Sequence, residues 1–330
     1  MAEPRRVRLG LDLGGTKCLG VALVGGEVVA RRQVPAPTGP EELARAVSAV
    51  VGELEAATGP RPAGPGEGGE PDPVGVGAPG LVDRRGVLTF APNLGGLSGV
   101  GVGALLAAAL GRRVVVGNDA TCAALGEHRL GAARGLADVV VATLGTGIGG
   151  GVVVGGRLLR GAHGFAGEIG HMIVDPDGPP CPCGQRGCWE RYASGSGLGR
   201  LGREAAQAGL VPRVVALAGG DPEGVRGEHV TGAAAEGDPG ARAVLAELAR
   251  WVALGLVNLA NAFDPAAFVL GGGLVAAGDE LLVPVGRAFA DLRAADDRRP
   301  SVPVVAARLG VEAGAIGAAL LADEEAEPCG

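Results

Sequence analysis

Between Gly167 and Glu190 the chain reads GEIGHMIVDPDGPPCPCGQRGCWE, in which one imidazole, His171, is followed by three thiols, Cys181, Cys183 and Cys188, all within 18 residues. That is a complete tetrahedral donor set for zinc, whose bonds to sulfur and nitrogen are about 2.3 and 2.0 Å long. Three thiolates and one histidine leave no open coordination position, so the expected ion is structural and its binding stabilises the local fold. The alternatives are a disulfide or unligated loop thiols. A Cys-x-Cys pair is too short to close easily into a disulfide, and no other feature points to an oxidising compartment. Glu168 and Glu190 flank the ligands. On a segment stiffened by metal such carboxylates can be aimed at a ligand; otherwise they are solvated surface charge.

The rest of the chain is organised as two similar halves. Residues 7–34 read as three strands joined by glycine turns, RVRLGLDLGG, TKCLGVALVGG and EVVARRQV, and the pattern returns at 138–161 as DVVVATLGTG, IGGGVVVGG and RLLRG. Aligning Leu13-Gly14 with Leu144-Gly145 brings the two turns into near register, which predicts two lobes of like construction. A duplicated β-meander with helices is the plan of the actin-like ATPase (ribonuclease H-like) α/β fold. The apolar stripe Leu43, Val47, Val50, Val51, Leu54 predicts a helix over 40–58, residues 58–73 read as a Pro/Gly-rich surface loop, and the longest helix is expected at about 240–262. At 330 residues and 47% hydrophobic the chain can bury a substantial core, and its net charge of −7 argues against a nucleic-acid or anionic-membrane surface. MAEPRRVRLG lacks the apolar stretch of a leader, and no run approaches the ~18 uninterrupted apolar residues of a membrane span, so a soluble, cytoplasmic protein is expected.

Three glycine turns each follow an apolar β run: Asp12-Leu-Gly14-Gly15-Thr16-Lys17, Leu144-Gly145-Thr146-Gly147 with the glycines after it, and Leu270-Gly-Gly272-Gly273. Such turns let backbone N–H groups approach an anion closely. Taken singly, each is as readily a plain hairpin; together and in this order they describe a phosphate grip. Lys17 is the lone lysine among 28 arginines, which fits a place that needs a compact ammonium, and Asp12 is the best carboxylate for the outer shell of a phosphate-bound magnesium. RVVVGNDAT puts Asn118 and Asp119 where a strand meets a helix and where the lobes are expected to join. Asp119 is therefore either a helix cap or a reactive carboxylate. Neither GxxxxGK[ST] nor a protein-kinase HRD motif is present.

ExGH followed by CxCGxxGCxE resembles the signature of the ROK family of sugar kinases and sugar-responsive repressors, and the other motifs extend the similarity from about residue 7 to about 322, most closely to bacterial ROK glucokinases. The resemblance implies a two-lobed actin-like fold with a zinc knuckle, residues 1–118 forming a small lobe, 119–303 a large one, and a helix within about 304–330 returning to the first. It implies that the turns at Gly14–Lys17 and Gly145–Gly147 clasp the phosphates of Mg-ATP, with Gly272 and Gly273 near the nucleoside. Gly80, Asn93, Asn118, Glu168, His171 and Glu190 would line the sugar, His171 using one ring nitrogen for zinc and the other for the substrate. One departure is Leu97, where glucokinases usually carry a tryptophan.

The expected activity is ATP-dependent phosphorylation of the 6-hydroxyl of glucose, with Asp119 as general base. The runner-up is an N-acetylhexosamine, mannose or fructose kinase, and a non-catalytic sugar sensor is the rival from another class. A repressor would need a DNA-binding domain ahead of the first strand, which begins at about residue 7. A homodimer or homotetramer is expected, with the apolar helix 240–262 at an interface.

Overall fold

Alternating apolar residues and glycine turns generate the opening antiparallel meander Val7–Leu13 (β1), Lys17–Val24 (β2) and Glu27–Pro35 (β3). The structure, a computed structural model, describes residues 6–59, 71–91, 94–293 and 298–325. Residues 60–70 of the Pro/Gly-rich segment, and Asn93, lie outside the described residues. Helix Pro40–Thr58 (α1) buries the five residues of its predicted stripe. Val74–Ala78 (β4) follows, then a small antiparallel sheet of Leu81–Val82 (β5), Val87–Phe90 (β6) and Val100–Gly101 (β7). Val102–Leu110 (α2), Val114–Asn118 (β8) and Asp119–Arg129 (α3) complete the first half.

The second half repeats the first. Val139–Leu144 (β9), Ile148–Val154 (β10) and Arg157–Leu158 (β11) form another antiparallel meander. Past the knuckle come Glu190–Ala193 (α4), Gly195–Gln207 (α5), Pro212–Leu217 (α6), Gly227–Ala235 (α7) and Pro239–Phe263 (α8). The chain closes with Ala267–Gly271 (β12), Asp279–Arg293 (α9), Val304–Ala306 (β13) and Ala313–Glu324 (α10). The sheet orders β3-β2-β1-β4-β8 and β11-β10-β9-β12-β13 are the same topology, each with its first strand central and its last two strands parallel to it. The internal echo in the sequence is thus a repeated sheet.

Helix α3 is wedged between the two sheets, and glycine makes the wedge possible. On one side Ala120 and Ala124 press into β10 where Gly149 and Gly151 stand; a Cβ at either glycine would lie 2.5 or 2.4 Å from those methyls. Gly150, pointing to the opposite face by the two-residue strand period, accommodates Ile169. The glycine run after Gly147 is therefore strand packing, not an extension of the phosphate turn. On the other side α3 meets α10 backbone to backbone: a Cβ on Gly317 would sit 1.6 Å from the Cys122 carbonyl oxygen. Helix α10 in turn lies directly on β1 and β4, where Gly10 and Gly75 face the Ala315 and Ala318 carbonyls. Buried Glu127 locks α3 to the segment before α10 by accepting the Arg308 and Leu309 amides at 2.9 and 2.7 Å.

Helix α8 is long and apolar enough to cross a bilayer by length and composition. Leu245, Leu248, Val252, Leu256 and Leu259 are buried in the core of the second half, which accounts for much of that apolarity. Leu97 likewise belongs to the small-lobe core, fully buried beside Leu94 and Leu88.

Gly317→Ala should destabilise the protein by more than about 3 kcal/mol, because a collision between two helix backbones cannot relax through side-chain rotation. Gly52→Ala, in α1 with open space around the added methyl, should stabilise it by about 0.5–1 kcal/mol. Urea unfolding of the two variants gives both values.

Candidate active site

The knuckle folds as its motif requires. Gly184 and Gly187 both adopt positive φ, 94° and 64°, and a Cβ on Gly187 would meet the Asp175 carbonyl at 1.5 Å. The loop closes through Cys181 N–H donating to Gln185 O and Gly187 N–H to Pro179 O, at 2.8 and 2.9 Å. These turns bring His171, Cys181, Cys183 and Cys188 together with all four donor atoms within 4.8 Å of one another. Bonds of about 2.3 Å place neighbouring sulfurs of a zinc tetrahedron about 3.8 Å apart. Cys183 and Cys188 are 3.6 Å apart, and Cys181 Sγ lies 3.7 Å from His171 Nδ1, so the donors fit the ion in kind and spacing. Trp189 pins the knuckle to α8: its ring fills the space that Gly255 leaves open, and its Nε1–H donates to Trp251 O at 2.7 Å.

His171 turns Nδ1 toward the thiols and Nε2 toward Glu168, whose Oε2 is 3.9 Å away. Burial pushes the Glu168 carboxyl up to about 7, with the charges of Asp119 and Glu190 adding to the rise. Asp119 is itself raised by burial, against the lowering effect of the Ala120 amide, which donates to its Oδ1 at 2.8 Å. The question left open by the sequence, cap or free carboxylate, has a geometric answer. Asn118 caps α3, its Oδ1 accepting Thr121 N–H at 2.9 Å while Nδ2 donates to Gly80 O at 3.1 Å. Asp119 is the first residue inside the helix and has a carboxylate oxygen to offer a ligand. Gly80, at φ 98°, has no room for a side chain against Phe90 O.

Asp12 is the last residue but one of β1, next to Gly77 of β4 in the parallel register, and Gly77 packs against the Asp119 backbone. The carboxyl ends of β1, β4 and β8 thus meet at one point, where ligands bind in open α/β sheets. Burial lifts the Asp12 carboxyl to about 7; the Asp119 charge adds to this and Lys17 opposes it. The Gly14–Lys17 turn is closed by Gly14 N–H to Lys17 O at 2.8 Å, and the equivalent Gly145–Gly147 turn by Gly145 N–H to Gly147 O at 2.9 Å. Gly272, at φ 86°, lies against the Leu144 backbone, so the second and third turns touch.

A cavity of about 970 Å³ opens from these two turns along the N-terminal ends of α5 and α7, lined by Gly145, Thr146, Gly273 and Ser196 together with Arg191, Arg200, Arg203 and Arg226. Arg191 Nε and Arg200 Nε are buried without a hydrogen-bond partner, while Arg200 Nη1 donates to Glu204 at 2.6 Å and Arg203 Nη1 to the Val225 carbonyl at 2.8 Å. Sequence reading missed this wall. In a chain with 28 arginines no spacing marks these four.

A family model described as ROK family matches residues 8–325. The chain belongs to the ROK family. Among similar proteins, a glucokinase of Streptomyces coelicolor is 42% identical over 320 residues, covering 96% of this chain and 97% of that one. The crystal structure of a ROK family glucokinase from Streptomyces griseus, in complex with glucose and AMPPNP, superposes with a TM-score of 0.82 at 39% identity, covering 97% of this chain and 100% of that one. A ROK hexokinase from Thermus thermophilus gives the same TM-score at 37% identity, over 97% and 99% of the two chains. The two-lobed actin-like fold and zinc knuckle are those expected of this ROK protein.

Asp12 offers a pH test. A carboxyl near 7 when folded and near 3.8 when unfolded binds its proton more tightly in the folded chain, so its contribution to stability is complete below about pH 4 and is lost as pH rises through 7. Asp12→Asn should match the unsubstituted protein near pH 4 and exceed it by about 2–4 kcal/mol at pH 8. Urea unfolding of the ligand-free protein across that range checks the sign.

Proposed function

We propose that the protein is an ATP-dependent glucokinase that transfers the γ-phosphoryl group to the 6-hydroxyl of glucose, with Asp119 as the general base. The observation that carries this reading is the division of labour at the start of α3: Asn118 takes the cap, and Asp119 keeps a carboxylate in a buried cleft between two phosphate-sized turns. The high similarity to proteins named glucokinase supports glucose over the N-acetylhexosamines, mannose and fructose.

In this reading the cleft lies between the small lobe, residues 1–118 with 304–330 returning to it, and the large lobe, 119–303. Backbone N–H groups of Gly14, Gly15 and Thr16, with the Lys17 ammonium, take one side of the triphosphate. Gly145, Thr146 and Gly147 take the other, and Gly272 and Gly273 flank the nucleoside in the arginine-lined cavity. Magnesium bound with the nucleotide would supply charge neutralisation, and Asp12 is the carboxylate that would hold it. The sugar lies over Gly80 with Asn118, Glu168, His171 and Glu190 as hydrogen-bonding partners; Asn93, expected with them, lies outside the described residues. Cys181, Cys183, Cys188 and His171 Nδ1 would hold zinc, which would fix the imidazole ring and leave Nε2 for the sugar side.

Transfer follows from that placement. As the 6-oxygen bonds to the γ-phosphorus, the bond to the β,γ-bridging oxygen breaks and its electron pair leaves with ADP. The hydroxyl proton passes to Asp119. Burial raises the basicity of that carboxylate, which suits a base working near neutral pH. The same reading puts the enzyme in the cytoplasm, where ATP and free glucose meet, as a homodimer or homotetramer.

A coupled ADP-release assay with Mg-ATP over glucose, mannose, fructose, N-acetylglucosamine and N-acetylmannosamine tests the proposal. Glucose should lead, and Asp119→Asn, which preserves shape and the Ala120 contact, should lower kcat by about 10²–10⁴ with little change in glucose KM. Turnover led by an N-acetyl sugar would move the substrate, and sugar binding without turnover would move the protein to the sensor class.

A further inference from the structure

Glu190 contacts the Gly145–Gly147 turn as well as the metal knuckle. Its Oε2 accepts the Ile148 amide at 3.0 Å, directly after the Gly145–Gly147 turn, and lies 2.1 Å from where a Cβ on Gly147 would sit. The carboxylate is packed onto the turn itself. The residues that follow continue the grip: Gly195 N–H donates to Gly145 O at 2.8 Å, and the Ser196 hydroxyl and amide donate to Thr146 O at 2.7 and 3.3 Å. The outgoing arm of the knuckle therefore holds the turn at three successive peptide groups. The incoming arm holds the other side of the same residue, since Gly170 lies against Ile148 O, where a Cβ would come within 2.1 Å, and Ile169 fills the place of a side chain on Gly150.

The two arms meet in the metal site. His171 follows Gly170 on the incoming arm, and Cys188 precedes Glu190 by two residues on the outgoing one, with Glu190 Oε1 also 4.0 Å from Cys181 Sγ. Backbone bonds from Trp189 to Met172 and from Val174 to Gly187, 2.8 and 2.9 Å long, join the arms, and the four metal donors cross-link them. We infer that Glu190 is a positioning residue for the phosphate donor, carrying metal occupancy of the knuckle to the Gly145–Gly147 turn. This rests on the reading of that turn as a donor grip. Zinc then braces both substrates, the sugar through His171 and Glu168 and the nucleotide through Glu190, whereas the sequence alone points only to the sugar side.

The test is calorimetric titration of the full zinc-loaded chain with Mg-AMPPNP in the absence of sugar, and separately with glucose in the absence of nucleotide. Glu190→Ala should weaken Mg-AMPPNP by about tenfold or more, as expected for loss of a charge-assisted hydrogen bond. Glu190→Gln, whose amide oxygen can still accept from Ile148, should recover most of that loss. Removing zinc should weaken nucleotide binding in the unsubstituted protein and change it little further in Glu190→Ala. Gly147→Ala tests the contact from the other side: it should weaken Mg-AMPPNP, and its penalty should shrink in the Glu190→Ala background, which two independent effects would not do. Unchanged nucleotide affinity in Glu190→Ala with loss of glucose alone, or additive penalties in the double variant, overturns the inference. If the unsubstituted protein binds neither ligand, the kinase reading itself fails, a result distinct from a silent Glu190→Ala.

Discussion

The contact on which the molecule depends is the seating of α3 between β10 on one side and α10 on the other. Both approaches are closer than any side chain allows, and both exist because glycine stands at Gly149, Gly151 and Gly317. A chain with 63 glycines and 2% aromatic residues lacks large rings to fill space between elements, so it brings backbones together instead. Glycine costs conformational entropy on folding, and the return is a short, stiff path between the sheets. Asp119 sits at the start of that path, so its position relative to the turns of β1 and β9 is set by packing on both flanks.

The same packing concentrates charge. Asp12, Asp119 and Glu168 come together here, and burial raises all three above the ordinary carboxylate range, with the Asp119 charge adding to the rise at Asp12 and Glu168. Without ligands this is an unfavourable arrangement that favours protons or cations. The proposed substrates supply what the cluster lacks: a hydroxyl proton for Asp119 and a hydrated divalent cation for Asp12. The site gives up stability in the empty protein and recovers it on binding, and the rigid helix and metal-clipped knuckle keep the carboxylates from drifting apart.

Much of this was legible in the sequence because the signals are local. The meanders follow a two-residue period, the α1 stripe follows the helical one, and the Cys-x-Cys, Gly and Cys spacing carries both the ligands and the positive-φ turns at Gly184 and Gly187. The glycine run 149–151 looked like phosphate loop because composition alone does not separate a turn from a strand pressed against a helix. Leu97 stood out in the sequence as a departure, although it belongs to the core. The four arginines of the cavity wall come from two helices, α4 and α5, and the turn ahead of α7, and the second oxygen of Glu190 is held by a residue 42 positions away. Such contacts exist only once the sheets are assembled.

The most direct measurement is a crystal structure of this protein with glucose and Mg-AMPPNP bound. The account predicts the sugar 6-oxygen within about 2.6–3.2 Å of the Asp119 carboxylate and in line with the γ-phosphorus held between the Gly14–Lys17 and Gly145–Gly147 turns. A 6-oxygen directed at Glu168 or Glu190, with Asp119 contacting only protein, would contradict it.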